Sequence, residues 1–418
     1  MKVLVVGNGA REHAIAWKIR QSPLVDELFV APGNAGTAAI ATNIPVSATD
    51  IEEQMKVAIQ HGIDLTVVGP EAPLAAGIVD RFQEQDLPVF GPTKGAARIE
   101  SSKVFAKELM AKHGIPTGRY AVFDSYGEAC SYVKSQALPV VVKADGLAAG
   151  KGVAVAKTEE EAVKALQECL VERVFGVSGD WVLVEECLAG PEVSVFAFTD
   201  GETLSPLVTA CDYKRAFDRD EGPNTGGMGS YSPPPFWSLE MEQEVREKIM
   251  EPTVRALAQE GCPFRGVLYG GLMLTEDGPK VIEFNCRLGD PETQVILPRL
   301  KEDLVEIIVS VVNGMLNKTS IAWSDEACVG VVMVPGGYPG SYATGMAISG
   351  LDEANTKGLV LHAGTRQEGL VTITDGGRTL TVVGKGRNLE EARSQAYEGI
   401  SHIQLEGGFF RRDIAAGI

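Results

Sequence analysis

The stretch Val281-Ile282-Glu283-Phe284-Asn285-Cys286-Arg287-Leu288-Gly289-Asp290-Pro291-Glu292-Thr293-Gln294 runs an apolar strand into a Gly-Asp-Pro turn, and one pair within it decides how the chain is read. Residues two apart on a strand face the same side, so Glu283 and Asn285 present a carboxylate and an amide oxygen together. Hard oxygen donors at that spacing suit Mg²⁺, which commonly rides on nucleotide phosphates. The plainer alternative is an edge strand with two solvated polar residues.

Working outward, residues 1 to about 100 alternate short apolar runs (residues 3–6, 28–30, 65–68 and 89–90) with helix-like stretches, and each run ends in a Gly or Pro loop. That rhythm predicts an α/β fold beginning with a Rossmann-like parallel sheet. The loops Gly7 to His13, Ala31 to Gly36 and Gly69-Pro70-Glu71-Ala72-Pro73 all follow strands, and ligands of open α/β sheets bind at that carboxyl edge. A helix is expected from Ser101-Ser102-Lys103, where serine caps precede apolar residues at helical spacing. Between residues 115 and 186, Pro-bounded β-rich runs around a helical pattern at 159–171 predict a small α/β lobe. A long helix over residues 239–260 and strands near 193–198 and 266–274 follow. Beyond Ala327 the pattern is β-rich, with Asp375-Gly376-Gly377-Arg378 read as a hairpin turn between alternating strands and an amphipathic helix over 389–400.

Composition narrows the function. A chain of 418 residues exceeds one hydrophobic core, so two to four domains are expected. The 38 Lys and Arg against 56 Asp and Glu give a formal charge of −18, which disfavours nucleic acid or an anionic membrane as partner. A phosphate-bearing ligand must then be held by local cations, metal and backbone amides. Seven scattered cysteines, odd in number, fit neither a zinc ribbon nor a disulfide scaffold. With no apolar run long enough to span a membrane, a soluble cytoplasmic protein is expected.

Lys143-Ala144-Asp145-Gly146-Leu147-Ala148-Ala149-Gly150-Lys151-Gly152 is a strand-end lysine followed by three glycines. Such a loop can lay backbone N–H groups over a polyphosphate while Lys143 supplies a fixed cation; a flexible surface hairpin is the alternative. It lacks Walker spacing. Glu185-Glu186-Cys187-Leu188 ends another strand, where a carboxylate among backbone donors and acceptors could read an adenine edge, and Glu192 could accept from ribose hydroxyls.

Lys103, Lys143 with its glycine loop, Glu185 to Leu188, Glu192 and Glu283-Phe284-Asn285 fall in the order and spacing of ATP-grasp ligases, which the chain resembles. Within them it is similar to the phosphoribosylamine–glycine ligase family, whose motifs match Gly7 to His13, Ala31 to Gly36, Gly69 to Pro73, Lys143 to Gly152, Gly222-Pro223-Asn224-Thr225-Gly226-Gly227-Met228-Gly229 and Arg287 to Gln294. The likeness spans residue 1 to about 415. It implies an N-terminal Rossmann-like domain (residues 1–102), a central two-lobed α+β ATP-grasp domain (103–324, with a mobile lobe at about 120–190) and a small β-rich C-terminal domain (325–418).

The implied reaction joins glycine to 5-phosphoribosylamine through a glycyl phosphate, with ATP and Mg²⁺ or Mn²⁺. Negative charge develops on oxygens in both steps, so cations, oriented N–H groups and positioning are required more than a protein nucleophile. By carry-over, Lys103, Lys143, Gly150, Lys151 and Gly152 face the nucleotide, Glu185, Glu186 and Leu188 the adenine, and Glu192 the ribose. Glu283 and Asn285 hold the metal. Arg287, with Lys143, is the electrophilic group at the acyl phosphate, its planar donor fork fitting carboxylate and phosphate oxygens; alternatively it makes a structural salt bridge to Asp290 or Glu292.

The amine's phosphate is expected on backbone amides of Gly9 to Glu12 and of Asn34, Ala35 and Gly36, beside Pro70, with Glu71 accepting from ribose hydroxyls. Lys214, next to Asp212, is either a further charge for that phosphate or a solvated lysine. Asn224, Thr225 and Gly226, with Gly289 and Asp290, are expected to line a glycine subsite too tight for a Cβ. Two positions depart from the family: Ala10, commonly Gly, and Tyr213, frequently His.

Three rivals remain open to test. A dehydrogenase is disfavoured because Glu12 stands at the third fingerprint position after Gly7-Asn8-Gly9. Another ATP-grasp ligase with a different amine is the enzymatic runner-up. A regulator without turnover would be expected to lose Lys143, Glu283 or Asn285, all of which are present.

Overall fold

The computed structural model describes residues 1–147 and 152–418. The N-terminal sheet has five strands in the order Thr42–Asn43, Glu27–Pro32, Lys2–Gly7, Leu65–Val68, Val89–Phe90, parallel throughout. Val3, Leu4, Val5 and Val6 are wholly buried because both faces of the central strand are covered, which is why it reads as an unbroken apolar run. Carboxyl ends at Gly7, Pro32 and Val68 deliver the three Gly-rich loops to one edge.

Helix Lys103–His113 starts where Ser102 accepts the Phe105 N–H, and it carries the chain to a four-stranded antiparallel lobe. There the order is Tyr120–Phe123, Val182–Glu186, Val140–Ala144, Val153–Ala156, with helices Tyr126–Lys134 and Glu159–Leu170 closing a separate small core.

Eight antiparallel strands form the largest sheet: Gly278–Asn285, Gly266–Thr275, Glu192–Thr199, Val208–Asp212, Gly229–Ser232, Ala327–Met333, Leu380–Gly386, Leu359–His362. Gly229–Ser232 pairs directly with Ala327–Met333, so the C-terminal strands continue the sheet that carries Glu283 and Asn285. Helix Leu389–Ser401 packs on Ala327–Met333 and Leu380–Gly386. The segment over 239–260 is helical, with a π-type turn at Arg246–Met250 between Leu239–Val245 and Glu251–Gln259.

The hairpin expected at residues 375–378 is not formed. Thr365–Glu368 instead turns at Gly369-Leu370 to pair with Val371–Thr374 in a small four-stranded sheet, while Leu380–Gly386 leaves to join the large one. Alternation identified both strands, but it carries no information about which strand a segment pairs with. Among the described residues no helix is long and apolar enough to cross a membrane.

Candidate functional site

Strand Gly278–Asn285 forms one wall of a cleft between the two antiparallel sheets. Two cavities, about 190 Å³ and about 300 Å³, share Lys143, Val153, Glu185, Ile282 and Glu283 in their walls, so they are parts of one cleft. From the small lobe, the buried Lys143 Nζ donates to Glu185 Oε2 at 3.1 Å and across the cleft to Ile282 O at 3.0 Å. A cation of one lobe thus touches the backbone next to Glu283 on the other.

Two more lysines enter from helix Lys103–His113, one turn apart. Lys103 Nζ donates to Gly146 O at 2.9 Å, and Lys107 Nζ lies 2.8 Å from Glu185 Oε2. Burial pulls both below the usual lysine range, Glu283 opposing it at Lys103 and Glu185 at Lys107. Among the described residues Glu185 Oε1 is buried without a partner, an acceptor beside the cleft. Glu186 pairs with Arg119 at 2.8 Å, and Glu186, Leu188 and Glu192 line the larger cavity.

Burial would raise the Glu283 carboxyl, yet Lys214, Lys143 and Lys103 hold it below its ordinary value, so it is ionised at neutral pH. Asn285 is buried, and its Oδ1 accepts from Arg287 Nη2 at 3.3 Å. Asp212 is pushed up to about 6 by burial among Glu292 and Glu283, against the pull of Lys214. Glu192 and Asp212 flank Lys214, and Glu283 lies in the same cavity wall as Glu192 and Lys214. Among the described residues no cluster of three His, Cys, Asp or Glu side chains is set to hold a metal. A divalent ion on Glu283 and Asn285 would complete its shell with phosphate oxygens and water, the usual habit of Mg²⁺.

Arg287 does not bridge to Asp290 or Glu292. Its Nε meets Glu71 at 3.1 Å and its Nη2 meets Glu100 at 2.7 Å. Glu292 instead accepts from Tyr269 at 2.8 Å and lies 3.0 Å from Ser194, and Asp290 pairs with Arg378. Burial would lower the Arg287 guanidinium, but Glu100 and Glu71 raise it. Glu71 is brought down to about 2 because Arg287 and Arg11 outweigh its burial. This acid comes from the carboxyl edge of the parallel sheet, so Arg287 joins that edge to the cleft.

On the amine side, several of the expected groups make contacts within the protein. The Gly9 N–H donates to Glu12 Oε2 at 2.7 Å, and the Glu12 side chain fills the hollow beside Gly7 and Gly69. Asn34 Oδ1 accepts from Gly36 N and Thr37 N at 2.9 and 3.0 Å, and Ala35 N donates to Thr365 O at 3.2 Å. Those amides satisfy the protein's own acceptors, because a buried N–H rarely goes unpaired. The Lys214 ammonium pairs with Glu192 and lies 3.8 Å from Asp212 Oδ1, in the wall of the larger cavity.

Thr225 N and Oγ1 both donate to Lys214 O, and Gly227, at φ +110°, lies against Pro291. Gly226 and Asp290 are thereby brought to one arginine, Arg378, while Asn224 and Thr225 line the larger cavity. Gly152 lines the smaller cavity, whereas Gly150 and Lys151 lie outside the described residues. Sequence reasoning passed over Lys107 and Glu100, and took Arg378 only as part of a turn that could touch ligand or brace the neighbouring lobe. Lys107 had a signal in its four-residue spacing from Lys103, whereas Glu100 had none.

Three family models match in sequence order: the N domain of phosphoribosylglycinamide synthetase over residues 1–100, its ATP-grasp (A) domain over 101–293 and its C domain over 328–417. The chain is 52% identical over 417 residues to phosphoribosylamine–glycine ligase of Halalkalibacterium halodurans, covering 100% of this chain and 97% of that one. It is 50% identical to the ligase of the same name from Caldanaerobacter subterraneus, with both chains covered completely. The crystal structure of phosphoribosylamine–glycine ligase from Thermotoga maritima superposes with a TM-score of 0.87 at 35% identity, covering 99% and 100% of the two chains. A biotin carboxylase domain from Hydrogenobacter thermophilus, solved with MgADP, shares the fold at TM-score 0.72 and 17% identity, over 98% and 91%.

Proposed function

The chain belongs to the phosphoribosylglycinamide synthetase family, and from that premise we propose how its residues carry out the family's reaction. It is an ATP-dependent ligase of purine biosynthesis that joins glycine to 5-phosphoribosylamine. The glycine carboxylate attacks the γ-phosphorus of ATP and releases ADP. The amine then attacks the carbonyl carbon of the glycyl phosphate, phosphate leaves with the C–O bond electrons, and the ammonium formed at nitrogen gives up a proton. One observation carries the assignment of roles: Lys143 reaches from the small lobe to Ile282 O, beside an ionised Glu283.

Adenine lies against Glu186 and Leu188, with Glu185 Oε1 accepting from its amino group and Glu192 accepting from the ribose. Lys103, Lys143 and Gly152 line the triphosphate end, and Lys214 adds charge there. Mg²⁺ on Glu283 and Asn285 would screen phosphate charge. The guanidinium of Arg287, anchored by Glu71 and Glu100, is preset to face the acyl phosphate, so little reorganisation accompanies charge development. Asp212, Asn224, Thr225, Gly226, Gly289 and Asp290 surround glycine. Gly9, Asn34, Gly36 and Pro70 shape the wall for phosphoribosylamine, and Glu71 accepts from its ribose.

Phosphate release is to be measured with MgATP, glycine and phosphoribosylamine, omitting each in turn. Glu283→Ala removes the carboxylate on which the metal proposal rests, and turnover is expected to fall by roughly three orders of magnitude or more at unchanged far-UV circular dichroism, the scale of losing several kcal/mol of charge stabilisation. A rate near that of the unaltered enzyme would refute the metal assignment.

A further inference from the structure

We propose that Arg378, from the C-terminal part of the chain, is a positioning residue for the amino-acid subsite, fixing both the loop at Gly226 and the carboxylate of Asp290. The inference rests on the reading of residues 224–226, 289 and 290 as that subsite.

Arg378 Nη1 donates to Gly226 O at 2.6 Å and to Asp290 O at 2.8 Å, and its Nη2 meets Asp290 Oδ2 at 3.1 Å. One planar fork therefore ties two loops that no backbone pairing joins, a geometry a lysine cannot reproduce. The Gly226 N–H donates to Tyr338 Oη at 3.2 Å, so C-terminal side chains take both backbone groups of this glycine. Arg378 is itself held by backbone. Gly364 N donates to Arg378 O at 2.9 Å, and Thr379 N donates to Met333 O at 2.9 Å, fixing the loop to the large sheet. A Cβ on Gly377 would come within 2.6 Å of the Tyr338 ring, so the two clamping residues share one packed corner.

Asp290 is oriented at both oxygens. Oδ1 accepts from Gln294 Nε2 at 2.7 Å while Oδ2 takes Arg378. A Cβ built on Gly9 would lie 3.4 Å from Oδ2, so the carboxylate stands where the parallel sheet's edge meets the glycine loop. Arg378 lies in neither wall of the nucleotide cleft. Its loss should loosen the amino-acid side and leave ATP binding intact.

The test is steady-state kinetics of the full-length enzyme, varying glycine, ATP and phosphoribosylamine separately. Arg378→Ala is expected to raise KM for glycine tenfold or more with KM for ATP within twofold, Arg378→Lys to lie between, and added guanidinium chloride at low millimolar concentration to restore part of the alanine variant's glycine affinity. Arg366→Ala, which removes an exposed ion pair to Asp375 at the base of the same loop, should leave all three constants unchanged. The proposal is overturned if Arg378→Ala keeps its glycine KM, or if glycine and ATP constants rise together with a fall in melting temperature. Thr225→Ala separates the two readings. If it raises glycine KM while Arg378→Ala does not, only the role of Arg378 fails; if neither does, the subsite itself is misplaced.

Discussion

Asn34 offers the sharpest test of how the parallel sheet meets the C-terminal sheet. Its amide donates to Asn8 O at 2.9 Å and to His362 O at 2.8 Å, and its Oδ1 accepts from Gly36 N and Thr37 N at 2.9 and 3.0 Å. The side chain is buried, so Asn34→Ala leaves two N–H groups and two carbonyls without those partners. At about 1 kcal/mol net per hydrogen bond, the loss is about 4 kcal/mol. Hydrogen exchange under native conditions reads this locally, whereas global unfolding of a multidomain chain need not be two-state. Exchange at Gly36 and Thr37 should accelerate by roughly a thousandfold, since about 1.4 kcal/mol is a factor of ten. Asn34→Asp keeps the two acceptor bonds but turns a carboxylate oxygen toward two carbonyls, so it should be at least as damaging. If Asn34→Ala kept its protection and raised only the KM for phosphoribosylamine, the side chain would bind ligand instead of holding the two sheets together.

Two further outcomes follow from the same contacts. Burial lowers His13 to about 3, with His362 adding repulsion, and burial lowers His362 to about 4. Folded values below the unfolded value near 6.5 mean that the unfolded chain binds more protons, so stability is full above about pH 6.5 and is lost as pH falls toward 4. His13→Asn keeps an acceptor for the His362 N–H, which donates to Nδ1 at 2.8 Å, and removes one titrating group. The slope against pH, between 4 and 6.5, of the opening free energy read by native-state hydrogen exchange in strand Leu359–His362 should drop by about 1.4 kcal/mol per pH unit; an unchanged slope would show that the pair does not govern acid lability. Gly227→Ala places a Cβ 2.4 Å from Pro291 Cδ at φ +110°, so glycine-dependent turnover should fall at least a hundredfold while calorimetry still detects ATP binding. A variant that keeps its rate would mean that this loop bears no load in the subsite.

Much of the architecture was legible because buried strands and capped helices write themselves into local pattern. Residues 3–6 read as a doubly covered strand for lack of any polar break, and Ser102 marked the helix that carries Lys103. Pairing across sequence was not legible. Gly229–Ser232 lies beside Ala327–Met333, and Leu380–Gly386 beside that, yet nothing in a two-residue period names a partner. The same limit explains the failed hairpin at 375–378, whose turn residues serve instead to carry Arg378 to Gly226.

Within the site, residue types declared chemistry but not neighbours. Glu283 and Asn285 were readable as a pair because strand geometry fixes residues two apart, whereas Arg287 was matched to acids nearby in sequence and finds Glu71 and Glu100 instead. Asn34-x-Gly36 did carry a local signal: an asparagine that accepts the N–H two residues on is a turn-forming group, and a side chain so used has less capacity for a substrate.

A physical logic connects these misses. The formal charge of −18 gives an anionic nucleotide no long-range attraction, so affinity must be generated by cations held at short range. Those cations are costly to bury alone, and each is stored against a carboxylate: Lys143 and Lys107 on Glu185, Lys214 on Glu192, Arg287 on Glu71 and Glu100. Most of the partners come from a different strand or helix, because a single strand face has too few positions to supply both the cleft-facing groups and the counter-charges around them. The end of strand Gly278–Asn285 and the turn after it consequently become the place where parts from across the chain meet. Lys143 arrives from the small lobe, Glu71 and Glu100 from the N-terminal third, and Arg378 from the C-terminal sheet. A site assembled from such seams is rigid only when all of them are closed, which is why its specificity groups lie where sequence distance is greatest and local pattern is silent.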